Sequence, residues 1–391
     1  MKVVGIHEES IALDGELSNS IISFSGHDVS LVAVVTDVVR NGRPLIGFGF
    51  NSIGRFAQSG ILKSRIIPRI LETRVDELLG EEGFDCEAVY KAAVRNEKPG
   101  GHGDRASAIG ALELAFWDIN AKLRDEPAYA TIARQFGTTP MDRVPVYAAG
   151  GYYYAGGGAD RLRNELRSYV DAGFDAFKIK IGGVPLGEDM VRIETALEVC
   201  KSGSKLAVDA NGRFDLMRAK QVGAEIEPLG LRWYEEVGDP LDFALNRAVT
   251  EFYSGAVATG ENLFSMQDVR NLIAFGGMRP GKDIFQMDAG LSYGVGEYVR
   301  MIDLLEANGY DRKSAFPHGG HLINLHIVAG LGLGGCEAYP SVFQPFGGYS
   351  PDCELRDGAV SVPQSPGFGL ECKPELRPIL NRLVDRGVPV Q

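Results

Sequence analysis

Cysteine is scarce and unpaired in this sequence, and long apolar runs are missing. Of the 391 residues only five are cysteines, none of them in a CxxC pair: Cys86, Cys200, Cys336, Cys353 and Cys372. An odd and scattered set argues against a disulfide framework and predicts free thiols in a reducing cytosol. The start, MKVVGIHEES, has no apolar signal-peptide segment, and no apolar run is long enough to span a membrane. We therefore expect a cytoplasmic protein without a membrane partner.

Positive charge is also in deficit. The chain has 40 Lys and Arg residues against 52 Asp and Glu residues, which gives a formal net charge of −12 and a pI of about 5.1. This balance argues against a nucleic-acid partner, because such proteins carry an excess of basic residues on the binding face. It does not exclude a small anionic substrate, because a local lysine or metal ion inverts the field of a single pocket.

The length and the N-terminal pattern predict more than one domain. A chain of 391 residues is too long for one ordinary core, and 45% hydrophobic with 24% charged residues is typical of a globular protein. Residues 1–60 contain strand-like runs, VSLVAVVTDVV and LIGFGFNS, whereas ASAIGALELAFWDINAKLRDE has the apolar spacing of a helix. Strands followed by helices predict an α+β domain over residues 1–140.

From about residue 143 short apolar strands alternate with amphipathic helices. Seven strand-like segments follow one another, from VPVYAAGGYYY to SAFPHGGHL, and an eighth is found near GGCEAYP. Such alternation indicates a parallel sheet, and seven or eight strands favour a closed barrel over an open sheet. We expect the barrel over residues 141–345. The segment 346–391 returns to Gly/Pro-rich loops and is expected to pack back on the first domain.

Each barrel strand from the second to the seventh carries an ionisable residue at its C-terminal end. These residues are Lys180, Asp209, Glu235, Glu261, Asp288 and His318. They are separated by 26 to 30 residues, which is one strand–helix unit each. Side chains at the same place on successive strands surround one mouth of a barrel, and active sites of barrel enzymes lie at the C-terminal mouth.

The three carboxylates in this series predict a metal site. Asp209, Glu235 and Glu261 would repel one another and raise each other's pKa if left unpaired. Oxygen ligands with positions left for water or substrate suit Mg²⁺. For one isolated carboxylate a salt bridge to Lys or Arg is the favoured interpretation, but three at equal spacing favour the metal.

Two lysines in FDAFKIKIGG lie on one face of the second strand, because side chains alternate with a period of two. Lys178 is expected to lower the pKa of Lys180 by like-charge proximity and so make it a usable base. On the other side, Asp288 is expected to fix the tautomer of His318. A metal between these two groups suits removal of a proton next to a carboxylate.

Taken together, the motifs KIK, VDANGRF, YEEV, TGEN, QMDAG and FPHGGH resemble the enolase superfamily in its mandelate racemase-like branch. Sites of that superfamily use a Lys or His base with Mg²⁺. The resemblance implies a modified TIM barrel, (β/α)7β, with an α+β capping domain built from the N-terminal part and the C-terminal tail. It implies one Mg²⁺ per subunit on Asp209, Glu235 and Glu261, and a homo-oligomer.

Within this branch, the segments NEKPGGHGDR, YAAGGYYY, YEEVGDPLD, FPHGGH and GLGLGGCEAYP resemble those of dehydratases that act on D-tartrate. The resemblance implies that Lys180 removes the proton at C2 and that His318 protonates the departing C3 hydroxyl. The product would be oxaloacetate. It also implies that Asn51 and Lys98, both in the cap, close over the distal carboxylate. The segments FNSIGRF and ISFSGHD are candidate cap loops.

Further substrate contacts are predicted on the barrel side. Lys178 is expected to add positive charge, and Asn211 is expected to reach the water shell of the metal. Glu337, near the last strand, is a candidate acceptor for a substrate hydroxyl. His321 is a substrate contact and an alternative to His318 as the acid, whereas for His102 a substrate contact and a solvated turn are equally favoured.

Alternative functions share most of these residues. A dehydratase of a longer acid sugar would use the same base and acid, and so would a racemase or epimerase. A non-catalytic acid-sugar binding protein is disfavoured, because binding alone does not require Lys180 and His318 together.

Overall fold

The computed structural model describes residues 1–154, 156 and 158–385. The N-terminal part forms a cap of strands and helices. Its strands are β1 (Val3–Ala12), β2 (Asp28–Arg40), β3 (Arg43–Phe50), β4 (Leu79–Gly80) and β5 (Gly83–Phe84). Its helices are α1 (Ser59–Ile61), α2 (Ile67–Glu72), α3 (Val75–Leu78), α4 (Cys86–Ala93), α5 (Asp104–Leu123) and α6 (Ala128–Phe136).

The core of the cap is the antiparallel sheet β1–β2–β3 packed on helix α5. Two glycines on β3 allow the close approach. A Cβ atom at Gly47 would lie 2.1 Å from the carbonyl oxygen of Ala115, and one at Gly49 would lie 2.3 Å from that of Ala111. Helix α5 is buried along nearly its whole length, which explains its alanine-rich sequence.

The second part is a parallel barrel. Its strands are β6 (Arg143–Gly150), β7 (Phe177–Lys180), β8 (Leu206–Asp209), β9 (Tyr234–Glu235), β10 (Val257–Thr259), β11 (Ile284–Phe285) and β12 (Cys336–Ala338). Its helices are α7 (Gly158–Asp171), α8 (Leu186–Cys200), α9 (Leu216–Ile226), α10 (Phe243–Phe252), α11 (Met266–Phe275), α12 (Val295–Ala307) and α13 (Leu322–Leu331).

The barrel closes through the segment 315–318, which takes the place of a seventh strand. The Phe316 amide donates to the Phe285 carbonyl at 2.8 Å, and the His318 amide donates to the Gln286 carbonyl at 3.2 Å. Strand β12 then pairs in parallel with β6. The predicted (β/α)7β barrel with a cap is thereby confirmed.

The strand register places the predicted site residues at one level. Lys180 pairs with Asp209, and Asp209 pairs with Glu235. Phe177 and Ile179 belong to the large hydrophobic core, whereas the alternate residues Lys178 and Lys180 point into the barrel. Below them the interior is closed by a separate apolar cluster of Tyr147, Ala176, Ala207, Trp233 and Ala258.

The C-terminal segment contacts both parts of the molecule. Its strands are β13 (Leu355–Arg356) and β14 (Ala359–Ser361), and its helix is α14 (Arg377–Asp385). Strand β14 pairs with the start of β6, whereas α14 contacts β1 and β2. Within this segment, α14 packs on the cap as predicted. The hairpin β13–β14 instead extends the barrel sheet at β6.

Cap and barrel are joined by a buried carboxylate. Glu113 on α5 accepts hydrogen bonds from the amides of Val295 at 2.9 Å and Gly296 at 3.2 Å, and so caps the N-terminus of barrel helix α12. Burial raises the pKa of Glu113 to about 7.

Among the described residues, no helix combines the length and the apolar character needed to cross a membrane. The cytoplasmic location and the homo-oligomer expected from the sequence stay predictions.

Candidate active site

Three carboxylates converge at the C-terminal mouth of the barrel. Asp209 ends β8, Glu235 ends β9, and Glu261 follows β10 by two residues. Each offers an oxygen atom within 4.8 Å of the other two. Asp209 and Glu235 are completely buried. The structure therefore brings together the three residues predicted as metal ligands.

The electrostatics of this cluster fit a divalent cation. Burial and the neighbouring Asp209 carboxylate raise the pKa of Glu235 to about 8, although Lys178 opposes this rise. Oε2 of Glu261 is buried and has no hydrogen-bond partner. A set of oxygen donors that carries excess negative charge and an unpartnered oxygen suits a hard cation such as Mg²⁺.

Lys178 lies within the carboxylate cluster. Its Nζ is 2.5 Å from Oε1 of Glu235, 2.8 Å from Oε1 of Glu337 and 3.7 Å from Oδ2 of Asp209. Burial lowers the pKa of Lys178, but Glu235 and Glu337 outweigh burial and hold it well above its ordinary value. Lys178 is therefore a fixed positive charge behind the site and does not line the cavity described below.

Lys180 lines the cavity, but one expectation about it is wrong. Its Nζ is 2.5 Å from Oδ2 of Asp209 and 5.3 Å from the centre of the Tyr152 ring. Burial lowers the pKa of Lys180, and so does Lys178, as predicted. The carboxylates of Asp209, Glu261 and Glu235 together raise it more. The pKa consequently lies above its ordinary value and not below it.

His318 is held at both ring nitrogens. Nδ1 lies 3.2 Å from Oδ2 of Asp288, and Nε2 lies 3.1 Å from the hydroxyl oxygen of Tyr339. Burial lowers the pKa of His318, but Glu261 and Asp288 raise it to about 9. These carboxylates favour the positively charged imidazolium form of the ring, which is the form that a general acid requires.

These groups border a cavity of about 290 Å³. Four of the residues predicted for the site line it: Lys180, Asn211, Glu261 and His318. The cap closes it with residues from the two predicted cap loops and their flanks, including Ile22, Phe24, Ile53, Gly54 and Arg55. The cavity is thus shared between cap and barrel.

Asn211 is oriented by hydrogen bonds to Asp209. Its amide and its Nδ2 donate to the two oxygens of Asp209 at 2.8 Å and 3.2 Å. Its Oδ1 is buried without a hydrogen-bond partner. This oxygen is available to a bound group in the cavity, as the sequence predicts.

Three cap residues predicted to contact substrate do not line the cavity. Asn51 is buried in the cap, where Oδ1 accepts from the Ser30 amide at 2.7 Å and Nδ2 donates to the Phe56 carbonyl at 3.2 Å. The Lys98 side chain is exposed. Nδ1 of His102 lies within hydrogen-bonding distance of the Tyr293 hydroxyl, at 2.9 Å. Their local contacts, which a motif does not reveal, account for the difference.

Two barrel residues predicted as substrate contacts also lie behind the cavity wall. Both carboxylate oxygens of Glu337 are used inside the protein, by Lys178 and by the Gly319 amide at 2.8 Å. The His321 ring contacts Ser52, and burial lowers the pKa of His321 to about 4. A ring outside the cavity with a lowered pKa favours His318 over His321 as the acid.

Sequence reasoning missed a polar chain along the cavity wall. Arg55 Nη2 donates to Oδ1 of Asn262 at 2.9 Å, and Nδ2 of Asn262 donates to Oε1 of Glu236 at 2.7 Å. Glu236 and Asn262 directly follow metal-ligand candidates in YEEV and TGEN, which is a usable signal. A backbone φ of +38° at Glu236 accompanies its approach to the cavity.

Tyr339 was missed as well. It follows β12 by one residue and has no spacing or motif that marks it. Its hydroxyl reaches Nε2 of His318 because the barrel closes with β12 next to the segment 315–318.

Comparison with known proteins agrees with the geometry. Residues 161–376 match the protein family described as Enolase C-terminal domain-like. The chain is 25% identical to arabinonate dehydratase of Saccharolobus solfataricus over 93% of its own length and 92% of that protein. It is 27% identical to L-talarate/galactarate dehydratase of Salmonella typhimurium over 88% of its own length and 82% of that protein.

A similar fold is found in a solved structure. A racemase from Streptomyces coelicolor A3(2), crystallised with bound magnesium, superposes with a TM-score of 0.76 and 23% sequence identity. The match covers 98% of this chain and 99% of that protein. At this identity the likeness supports the fold of cap and barrel together.

Replacing Lys178 tests the charge balance of the carboxylate cluster. In Lys178→Met the buried Glu235 and Glu337 lose their cation, so we expect the free energy of unfolding in EDTA to fall by about 3 to 5 kcal/mol. Saturating Mg²⁺ should recover more stability in this variant than in the wild type, because the cation replaces the missing charge. Chemical denaturation with and without Mg²⁺ measures both effects.

Lys205→Met is the matched control. Lys205 pairs with Asp175 at 3.5 Å with both side chains about half exposed, so its loss should change stability by at most about 1 kcal/mol. Equal effects of the two substitutions, or no added response to Mg²⁺ in Lys178→Met, would contradict the account.

Proposed function

The chain belongs to the Enolase C-terminal domain-like family, and on this basis we propose that it is a Mg²⁺-dependent dehydratase of hydroxy acids whose substrate is D-tartrate. The observation that carries the proposal is the placement of Lys180, His318 and Glu261 on one small cavity. A base, an acid and a metal ligand there match the needs of a reaction that removes a proton beside a carboxylate and expels a hydroxyl.

The two protonatable groups divide the reaction between them. Lys180 would take the proton from C2 of the substrate, and the C2 electron pair would form a double bond to C3 as the hydroxyl leaves. His318, protonated at neutral pH, would give its proton to that hydroxyl, which departs as water. The resulting enol would tautomerise to oxaloacetate, so substrate minus water equals product.

Asp209, Glu235 and Glu261 would hold the metal. When bound, Mg²⁺ would stabilise negative charge that develops on the substrate carboxylate and offset the effect of Asp209 on the pKa of Lys180. Asn211 would orient the bound group through its unpartnered Oδ1. Trp233 supports the arrangement from below, because its Nε1 donates to Oε2 of Glu235 at 2.7 Å.

The cavity favours a short diacid. Its volume of about 290 Å³ is at the lower limit of typical ligand sites, roughly 300 to 1,000 Å³. A second carboxylate needs a second cation, and Arg55 supplies a permanent positive charge from the cap. Asn262 holds Arg55 at 2.9 Å, and the Phe264 ring lies 4.8 Å from its guanidinium. We assign Arg55, in place of Asn51 and Lys98, to the distal carboxylate.

A longer acid sugar is the second candidate substrate. Two of the relatives are arabinonate dehydratase and L-talarate/galactarate dehydratase, whose names indicate sugar acids with longer chains. The same Lys180 and His318 would serve such a substrate, or a racemisation. The size of the cavity and the D-tartrate-like segments of the sequence favour the shorter acid.

A proton NMR time course in D₂O with Mg²⁺ tests the substrate. Separate samples contain D-, L- or meso-tartrate, or one of a panel of pentonates and hexarates. We expect D-tartrate to disappear with formation of oxaloacetate or its breakdown product pyruvate, and the reaction to stop in Lys180→Ala and on chelation. Turnover of a longer acid sugar alone would retain the mechanism and refute D-tartrate. Deuterium entry at C2 without elimination would indicate a racemase.

Arg55→Met tests recognition of the second carboxylate. We expect KM for the diacid to rise by about 10- to 100-fold, since a charge-assisted hydrogen bond is worth roughly 1.5 to 3 kcal/mol, while kcat changes less. For a substrate analogue with a neutral amide at the distal end, the KM values of the variant and the wild type should be similar. Steady-state kinetics that show equal KM values in both proteins would refute the assignment.

A further inference from the structure

A buried hydrogen-bonded chain joins the cap to the acid. Ser52, on the cap loop after β3, has its hydroxyl oxygen 2.5 Å from Oδ2 of Asp288 and 2.9 Å from Nε2 of His321. The same Asp288 oxygen lies 3.2 Å from Nδ1 of His318. Ser52, Asp288 and His321 are each at most 1% exposed. We call these four residues the cap-to-acid chain.

The neighbours of the chain fix the direction of each hydrogen bond. The Asn324 amide donates to Nδ1 of His321 at 3.4 Å, as a helix N-cap. Asn324 Nδ2, 3.5 Å from Nε2 of His321, gives its two hydrogens to the carbonyls of His318 and Gly319. We therefore assign the ring proton to Nε2, which donates to Ser52. Ser52 in turn donates its hydroxyl proton to Oδ2 of Asp288. Asp288 thus receives Ser52 and His318 on Oδ2 and the Gly290 amide on Oδ1 at 2.8 Å.

The backbone is tightly packed at this contact. Ser52 has a φ of +56°, in the left-handed region that serine seldom adopts. Gly319, with φ +97°, separates the two histidines, and a Cβ there would lie 2.8 Å from Oδ2 of Asp288 and 2.9 Å from Nε2 of His321. A Cβ at Gly290 would lie 2.8 Å from that of Ser52. Such conformations persist only where the surroundings determine them.

His321 has the environment of a supporting group. Its ring packs against Phe50 with the ring centres 4.8 Å apart, and it does not line the cavity. Burial keeps it neutral, with a pKa of about 4. It can therefore donate one constant hydrogen bond without exchanging protons with the substrate.

We propose that Ser52 and His321 are positioning residues that hold Asp288, and through it the His318 ring, in the orientation that delivers a proton to the leaving hydroxyl. The inference rests on the proposed function. Because Ser52 belongs to the cap, His318 is correctly oriented only while this cap loop is docked on the barrel. The chain thereby couples docking of this cap loop to the orientation of the acid.

The partition between exchange and elimination tests this role. In D₂O, exchange of the C2 proton needs Lys180, whereas loss of the hydroxyl also needs His318. We expect Ser52→Ala and His321→Asn to slow elimination by about 10- to 100-fold with little change in KM, while deuterium still enters recovered substrate. Their double variant should lose little more than either single one, because both interrupt the same chain.

His321→Gln and His321→Asn form a matched pair. Asparagine retains the cap for the Asn324 amide but falls short of Ser52, whereas the longer glutamine amide reaches Ser52 and should recover part of the elimination rate. Equal losses of exchange and elimination would indicate a merely structural role and overturn the proposal. Unchanged elimination in Ser52→Ala would overturn it too.

Ring nitrogen NMR of protein labelled with ¹⁵N-histidine gives a readout that does not depend on turnover. At pH 7 we expect a neutral His321 with its proton on Nε2, identified by the signals lost in His321→Asn. A proton on Nδ1 would overturn this inference alone. Absence of turnover by the wild type with every hydroxy acid would overturn the proposed function instead, so the two failures are distinguishable.

Discussion

The mutual repulsion of three neighbouring carboxylates, two buried and one partly buried, is the constraint on which the rest of the site depends. Asp209, Glu235 and Glu261 approach within 4.8 Å of one another in the interior of the barrel. Buried charges of one sign are costly unless cations balance them. Lys178 and Lys180 supply part of that balance, and the remaining negative charge is what a divalent cation would neutralise. The position of each lysine follows from this need.

The fold meets the constraint by separating two sides of the cavity. The proposed base and metal ligands come from consecutive strands β7 to β10 or the residues just after them, and the register sets Lys180, Asp209 and Glu235 level. The proposed acid lies in the segment 315–318, and its ring contacts Asp288 after β11. The cap reaches both sides, through Arg55 toward the cavity and through Ser52 toward Asp288. In the proposed reaction the reacting groups thus come from the barrel, while the cap contributes to substrate selection and to the orientation of the acid.

The repeat of strand and helix made the barrel residues predictable. One ionisable residue per unit, at an interval of 26 to 30 residues, is enough to place Asp209 and its neighbours at one mouth. Cap contacts follow no such period, because they depend on how a loop folds over the barrel. For this reason Lys98 was expected in the cavity where Arg55 lies. The pKa of Lys180 was predicted in the wrong direction, because the sequence shows the neighbouring Lys178 but not the 2.5 Å contact with Asp209.

Calorimetric titration of Mg²⁺ into the wild type and Glu261→Gln tests the central claim most directly. We expect one Mg²⁺ to bind per wild-type chain, and the affinity for Mg²⁺ to be lower by more than about tenfold in Glu261→Gln. Glu225→Gln, which alters an exposed carboxylate on α9, should bind like the wild type. Equal binding by Glu261→Gln, or no binding by the wild type, would contradict the assignment of these carboxylates as a metal site.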